Sequence, residues 1–196
     1  MRVVILLRCV DEAKLFAKDP PSWKAKSRFR PQPLWDQSLT LSRPATHQGI
    51  EVKVSEDHLV IPYRIHHEGN EQAGRSLNEI QSIMYSCLLT RHHDGHVRQR
   101  QLERLLPVSE SWVVPFVFQL TGEYVIEILN TCESNFQMLD PMLYGTFIRD
   151  NPRYFQATRD RMISYWDCYY RWQYQRRSDY VGFRIFDRFQ EFASRL

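Results

Sequence analysis

The pattern of apolar and polar residues divides the chain into a short β-forming part and a longer helical part. Residues 3–7 are apolar on both alternating faces, which is typical of a strand covered on both sides, although a short buried helix has the same pattern. Residues 50–54 alternate apolar with polar side chains, and a second β-forming run covers residues 58–65. The last two runs predict a hairpin whose second strand lies near a sheet edge, because it contains Pro62.

Between the first and second of these runs, from about residue 18 to residue 46, the apolar residues show no regular spacing. Five of the ten prolines lie in this segment, and proline fixes φ and removes a hydrogen-bond donor, so a regular helix or central strand is not expected. A loop of this length tends to be functional or disordered. Because the segment also carries Trp23 and Trp35, we expect it to dock onto its own domain or onto a partner.

After Gly74 the apolar residues recur at steps of three and four, which predicts helices. Ser76 and Glu79 have the spacing of a capping box and predict the start of the first helix. The core-facing residues expected there are Leu77, Ile80, Ile83, Met84, Cys87 and Leu88. In a second helix, ended by Pro107, the expected inward residues are Val97, Leu102, Leu105 and Leu106, and the outward ones are Arg98, Arg100, Glu103 and Arg104.

The third predicted helix, from about Trp112, is apolar almost all round, and we expect it to be the central helix of the core. Ser109 or Ser111 would cap it, and it either continues past Gly122 or breaks at Thr121 and Gly122. Later helix starts are predicted at Asp140 with Pro141, at Asn151 with Pro152, and at Asp179. The long helix after Asn151 would place one aromatic stripe inward: Phe155, Met162, Tyr165, Trp166, Tyr169 and Trp172. The last helix would bury Val181, Ile185, Phe186, Phe189 and Phe192.

Residues 77–129 resemble a HEAT or armadillo-type helical repeat. The resemblance is carried by Asp94-Gly95-His96-Val97-Arg98 at a helix start, by the leucines of that helix, by the proline-bearing apolar helix after it, and by residues 123–129. It implies a helical hairpin and a fold that more often binds a macromolecule than catalyses a reaction. No second copy at the repeat period follows, and a solenoid needs about three units.

The expected fold is therefore α+β and predominantly α. A small N-terminal β element would precede a five- or six-helix bundle or HEAT-like helical array. We expect residues 1–70 to form the β element with the loop at 18–46, and residues 75–196 to form the helical domain, the two making one structural unit.

Composition and charge narrow the class of protein. The chain has 196 residues, 43% hydrophobic and 25% charged, which excludes disorder, collagen and a multidomain enzyme. Residues 1–53 contain 10 Lys and Arg against 5 acids, whereas residues 54–196 contain 16 Arg against 18 acids, so the basic surplus belongs to the N-terminal quarter. The first apolar run is too short for a secretory signal, and no run approaches a membrane span. We expect a soluble, cytoplasmic protein.

The four cysteines lie far apart in apolar stretches, and we expect them to be reduced and buried rather than paired or bound to zinc. They are Cys9, Cys87, Cys132 and Cys168.

Motifs for catalysis are missing: there is no GxSxG, no Walker-type or GxGxxG glycine loop, and no HExxH. The sharpest local feature is the turn with His92, His93 and His96, which could hold a metal, although a polar turn in which Asp94 caps the next helix and Gly95 relieves the backbone explains it more simply. Glu123 and Glu127 flank an apolar helix, where acids usually form the solvent edge or pair with Arg. We expect no cofactor, and we lean against an enzyme.

Two basic aromatic segments remain as candidate binding sites. The first contains Trp23, Lys24, Lys26, Arg28, Arg30 and Trp35, and the second contains Arg171, Arg176 and Arg177 around Trp172. Arginine beside Trp or Tyr suits a protein interface and also nucleic acid. The pI of 8.7 favours a protein partner. The alternative for the second segment is that Trp172 and Tyr174 belong to the core. The sequence predicts a non-catalytic protein-binding module, for example an adaptor or an inhibitor or immunity-type partner. The alternative is a nucleic-acid-binding protein that uses the basic aromatic N-terminal segment, and a metal-dependent enzyme at the turn of residues 92–96 is less favoured.

Overall fold

In a computed structural model, the described residues are 49–65 and 77–196. The predicted strand at residues 3–7, the loop at 18–46 and Cys9 lie outside them. The described part is predominantly helical, with seven α-helices and one antiparallel pair of strands. This confirms the predicted α+β class, although the structure has more helices than the five or six expected.

The two strands are β1 (Gly49–Val54) and β2 (Asp57–Pro62). The helices are α1 (Glu79–Leu89), α2 (Gly95–Leu105), α3 (Val114–Leu120), α4 (Ile126–Ser134), α5 (Pro141–Asp150), α6 (Pro152–Tyr165) and α7 (Val181–Ser194). Two 3₁₀ turns cover Phe136–Met138 and Arg177–Asp179, and a π-helical turn, Trp166–Tyr170, follows α6 directly.

The predicted hairpin is confirmed. Val52 pairs with Leu59 in the antiparallel register, and both side chains are buried together with Ile61. The alternate positions point to solvent, as the period of two in the sequence requires. Ser55, in the turn between the strands, has a φ of 56°, which is in the left-handed region that a turn needs and glycine prefers.

The side chain of Asn151 joins this hairpin to the helices. Its Oδ1 accepts from the backbone N–H of Lys53 at 2.7 Å, and its Nδ2 donates to the backbone oxygen of the same residue at 2.8 Å. The Nδ2 group also donates to the oxygen of Phe147 at 2.9 Å. Asn151 precedes α6 as predicted, but its side chain makes no capping hydrogen bond because it is engaged with the hairpin.

The core is built around α3, and all seven of its residues are buried. The Phe118 ring lies at the centre, with its centroid 5.2 to 5.9 Å from five other aromatic rings. Those rings belong to Phe147, Tyr154, Phe155, Phe186 and Phe189. The prediction that this apolar helix is central is confirmed, and the chain breaks after it at Thr121 and Gly122, which was one of the two predicted outcomes.

The observed caps agree with the predicted helix starts at α2 and α5 but not at α1 and α3. Asp94 accepts from the backbone N–H of His96 at 2.8 Å and caps α2, and Asp140 caps α5 through the backbone N–H groups of Met142 and Leu143. The capping box of α1, however, is formed by Asn78 and Gln81, not by Ser76 and Glu79. No side chain caps α3, so the expectation for Ser109 or Ser111 was wrong.

Several side chains face the opposite way from the prediction. Ile80 is exposed, and Arg98, expected on the solvent face of α2, is only 1% exposed. Trp172, expected on the inward stripe or in the core, is 78% exposed, and Cys168 is exposed whereas Cys87 and Cys132 are buried as expected. Gly95 has no positive φ and lies inside α2, so the turn does not depend on its freedom.

The helices pack in a contiguous body. α1 packs against α2, and α2 also contacts α3 and α4, while α7 packs against α4, α5 and α6. The amphipathic α7 buries four of the five residues that were predicted to face inward, and the fifth, Phe192, is half-buried. The four buried residues are Val181, Ile185, Phe186 and Phe189. No helix in residues 49–65 and 77–196 combines the length and apolar character that crossing a membrane requires.

Candidate interaction surface

A cluster of charged side chains lies between the hairpin and the first helices. Glu123, in the loop between α3 and α4, is buried and contacts three arginines, which we call the arginine cluster: Arg64 after β2, Arg91 after α1, and Arg98 in α2. Arg64 Nη2 lies 3.1 Å from Oε2, Arg91 Nη1 lies 3.1 Å from Oε1, and Arg98 Nη2 lies 3.7 Å from Oε2. Arg91 and Arg98 are almost completely buried, whereas the side chain of Arg64 is 23% exposed.

These arginines also hold the backbone of neighbouring segments. Arg91 donates through Nε to the oxygen of Pro62 at 3.0 Å and through Nη2 to the oxygen of Tyr63. Nη1 of Arg98 donates to the oxygens of His92 and His93, at 2.8 Å in each case. The cluster therefore fixes the end of β2 and the turn before α2 in one arrangement.

Burial and the neighbouring charges act on Glu123 in opposite directions. Desolvation by itself raises the pKa of the carboxyl group, but Arg64, Arg91 and Arg98 together hold that pKa below its usual value. Burial lowers the pKa of Arg91, an effect that Arg64 strengthens and Glu123 opposes. Glu123 is thus an ionised carboxylate at neutral pH. Of the two interpretations of these acids from the sequence, Glu123 follows the pairing with arginine, whereas Glu127 is exposed to solvent.

Next to the cluster, four tyrosines form what we call the tyrosine surface: Tyr63, Tyr124, Tyr165 and Tyr169. The ring centroids of Tyr124 and Tyr165 are 5.6 Å apart, and that of Tyr169 lies 6.1 to 6.4 Å from both. Tyr63, Tyr124 and Tyr169 are between 41% and 46% exposed. Burial raises the pKa of Tyr165 to about 12. Glu123 and Tyr63 add to this rise, whereas Arg161 and Arg64 oppose it, so the hydroxyl borders the arginine cluster and stays protonated.

The π-helical turn sets the outer edge of this surface. The N–H of Arg171 bonds to the oxygen of Trp166, five residues earlier, at 2.8 Å, which adds one residue to the turn and shifts the side chains after it relative to the helical repeat. Trp166 is buried and packs edge-on against Phe183. Trp172 lies outside, with its Nε1 donating to the oxygen of Tyr169 at 3.0 Å, in a shallow depression with Asp167, Arg171 and Gln175.

The predicted binding residues of the second basic segment are all exposed. Arg171 forms an ion pair with Asp167 at 2.7 Å and stands over the Trp166 ring, and Arg177 stands over the ring of Phe183. Arg176 is exposed as well. The structure therefore places Arg171 beside Trp172, and the binding role of these arginines stays a prediction.

The residues of the first basic segment cannot be placed in the same way. Trp23, Lys24, Lys26, Arg28, Arg30 and Trp35 all lie outside the described residues. Their role stays a prediction from the sequence.

The histidine turn before α2 has a structural role. His92 is buried, and its Nδ1 accepts from the backbone N–H of Asp94 at 3.0 Å, while its backbone pairs with Ile65. His93 and His96 are exposed. Among the described residues, no group of three or more His, Cys, Asp or Glu side chains is arranged to hold a metal ion.

Sequence reasoning missed the arginine cluster and the tyrosine surface because their members are far apart in the chain. Tyr63 and Tyr124 gave no local pattern, and Arg98 follows the polar positions of an amphipathic helix. The one available signal was Glu123, an acid at the edge of a very apolar segment, for which an arginine partner was one of two interpretations.

No family model, no curated protein and no solved structure shows significant similarity to this chain.

Proposed function

We propose that this protein is a non-catalytic, cytoplasmic protein-binding module that uses the tyrosine surface and Trp172 to bind another protein. An adaptor, or an inhibitor or immunity-type partner, would have this character. The observation that carries the proposal is the exposure of Trp172, which contacts Tyr169 and lies with Arg171 in one depression, together with the exposure of Tyr63, Tyr124 and Tyr169.

Tyrosine, tryptophan and arginine are the residues that contribute most to protein interfaces. The tyrosine rings are also held in place before any partner arrives, because Tyr124, Tyr165 and Tyr169 pack against one another and the Tyr170 hydroxyl donates to the backbone oxygen of Tyr124 at 2.7 Å. Preorganised side chains lose little conformational freedom on binding, which favours affinity.

Nucleic-acid binding through the basic aromatic N-terminal segment is the alternative function, and the charge of the described residues, which do not include that segment, adds nothing in its favour. Residues 49–65 and 77–196 contain 16 Lys and Arg and 17 Asp and Glu. A surface that follows a phosphate backbone normally has a strong excess of basic residues. The exposed arginines near Trp172 are too few to change that balance.

The proposal is tested by purifying the tagged full chain from its native source at its natural expression level. The wild type is compared with a Tyr169→Ser/Trp172→Ser variant and with Met142→Ser, a change at an exposed apolar residue of α5. A stoichiometric protein partner should accompany the wild type and the Met142→Ser control but not the double variant. If the wild type is recovered alone, or if the double variant retains the partner, the proposal is wrong.

A further inference from the structure

The arginine cluster carries more positive charge than its carboxylate balances. Three guanidinium groups contact Glu123, and within the described residues they contact no second carboxylate, so the cluster has a surplus of two positive charges. Buried charges without a counter-ion are costly, and proteins usually pair them.

The guanidinium of Arg98 has more hydrogen-bond donors than the acceptors around it satisfy. It is 1% exposed, yet its Nε and Nη2 groups make no hydrogen bond within the part of the chain that the structure describes. The Nη2 atom faces Glu123 at 3.7 Å, beyond hydrogen-bonding distance. The carboxylate is already shared by Arg64 and Arg91, so Glu123 does not satisfy all the donors around it.

The surplus charge reaches the surface at Arg64. This side chain is partly exposed, donates to Glu123 through Nη2 and to the backbone oxygen of His92 through Nη1, and lies beside the tyrosine surface. Tyr63 and Tyr124 carry exposed hydroxyl-bearing rings of that surface, and a tyrosine hydroxyl can donate a hydrogen bond to an anion. A carboxylate arriving at Arg64 would therefore meet a guanidinium that is supported by further positive charge behind it.

We propose that the tyrosine surface binds an acidic peptide segment of the protein partner, with one carboxylate of that segment paired to Arg64. This inference rests on the proposed function and adds the chemistry of the partner. One focused positive centre among aromatic rings suits one or two carboxylates, whereas a nucleic acid requires a continuous line of basic residues.

The test uses the purified full chain and a fluorescein-labelled hexaglutamate peptide, with binding followed by fluorescence anisotropy at low salt. Hexaglutamine and hexalysine peptides are the matched probes. Hexaglutamate should bind, the other two should not, and affinity should fall as salt is added. Arg64→Gln should weaken binding about tenfold or more, since a charge-assisted hydrogen bond is lost. The control is Arg195→Gln, which replaces an exposed arginine paired only with Glu191 among the described residues, and it should have no effect.

Arg64→Gln removes one member of the arginine cluster and could therefore unfold the protein. A second variant outside the cluster keeps the test decisive in that case. Tyr124→Ser changes an exposed residue of the same surface, and it should weaken hexaglutamate binding while leaving the circular dichroism spectrum unchanged. Absence of hexaglutamate binding, or equal binding by the Arg64→Gln and Tyr124→Ser variants and the wild type, overturns the inference. Tighter binding of single-stranded oligothymidine, or full displacement of the peptide by inorganic phosphate, also overturns it.

The two proposals fail separately. A partner that accompanies the wild type but not the Tyr169→Ser/Trp172→Ser variant, together with no hexaglutamate binding, leaves the proposed function standing and removes the acidic peptide. Hexaglutamate binding without any partner at natural expression removes the proposed function.

Discussion

The guanidinium of Arg98 and the carboxylate of Glu123 lie 3.7 Å apart in the interior, although the helical pattern placed Arg98 on the solvent face. The same carboxylate serves Arg64 and Arg91. Within the described part of the chain, Glu123 is therefore the one carboxylate that contacts all three arginines, of which Arg91 and Arg98 are buried and Arg64 is partly exposed.

We predict that Glu123→Gln lowers the free energy of unfolding by about 3–5 kcal/mol, because it leaves the arginine cluster without a counter-ion. Arg98→Met should cost less, about 1–3 kcal/mol, since it removes one surplus charge and mainly leaves the oxygen of His93 without its donor, whereas Arg64 still donates to the oxygen of His92. Urea unfolding at neutral pH measures both. A larger loss for Arg98→Met than for Glu123→Gln would contradict this account of the cluster.

The contribution of Glu123 should also depend on pH. Because its pKa in the folded protein is below the usual 4.5, its ion pairs stabilise the fold fully above about pH 4.5 and lose that effect as the pH falls through the lower folded value. The difference in unfolding free energy between the wild type and Glu123→Gln should therefore shrink on acidification. A difference that stays constant down to pH 2 would contradict the assignment.

Asn151 should be essential for holding the hairpin on the helices. Asn151→Ala removes three hydrogen bonds, two of them to the backbone of Lys53, and should destabilise the protein by about 1–3 kcal/mol. Hydrogen exchange should accelerate most at the Lys53 amide. Asn130→Ala, a change at an exposed residue of α4, is the control and should alter neither quantity. Unchanged exchange at Lys53 would show that other contacts hold the hairpin.

Two glycines should respond oppositely to the same substitution. A Cβ at Gly145 would lie 2.6 Å from the backbone oxygen of Phe192, where α5 and α7 approach closely, so Gly145→Ala should cost about 1–3 kcal/mol. A Cβ at Gly95 would meet only ordinary contacts, the nearest at 3.5 Å, so Gly95→Ala should be neutral or stabilise by up to about 1 kcal/mol. Thermal unfolding followed by circular dichroism compares the two. Equal losses would mean that helix packing does not distinguish these sites.

The cysteines should differ in reactivity. Cys168 is exposed, whereas burial raises the pKa of Cys132 to about 12 and raises the pKa of Cys87 well above its usual range. Iodoacetamide at mildly alkaline pH should therefore modify Cys168 in the folded protein and leave Cys87 and Cys132 intact until denaturant is added. Peptide mass spectrometry reports each site. Equal labelling of all three in the native protein would contradict the burial.

The features that local sequence could predict are those with a local cause. The hairpin follows from alternation, the central α3 from its continuous apolar composition, and the starts of α2 and α5 from Asp94 and Asp140. These signals lie within a few residues of the structure that they determine, so one sequence suffices to read them.

The features that were missed have distant causes. Arg98 is buried because it pairs with Glu123, which lies 25 positions away in the sequence. The side chain of Asn151 does not cap its helix because it bonds to the backbone of Lys53, 98 positions away. Trp172 lies in the turn that follows the π-helical residues, where the periodic spacing of a regular helix no longer applies. Tertiary contacts of this kind override local propensity, and the tyrosine surface depends on them entirely.

The central claim is that the tyrosine surface contacts a protein partner. The most direct test replaces Tyr169 with the photo-reactive p-benzoylphenylalanine in the full chain at natural expression and irradiates the cells. The same replacement at Met142, an exposed residue of α5, is the control. We predict one discrete cross-linked protein from position 169 and none from position 142. No adduct from position 169, or the same adducts from both positions, would contradict the account.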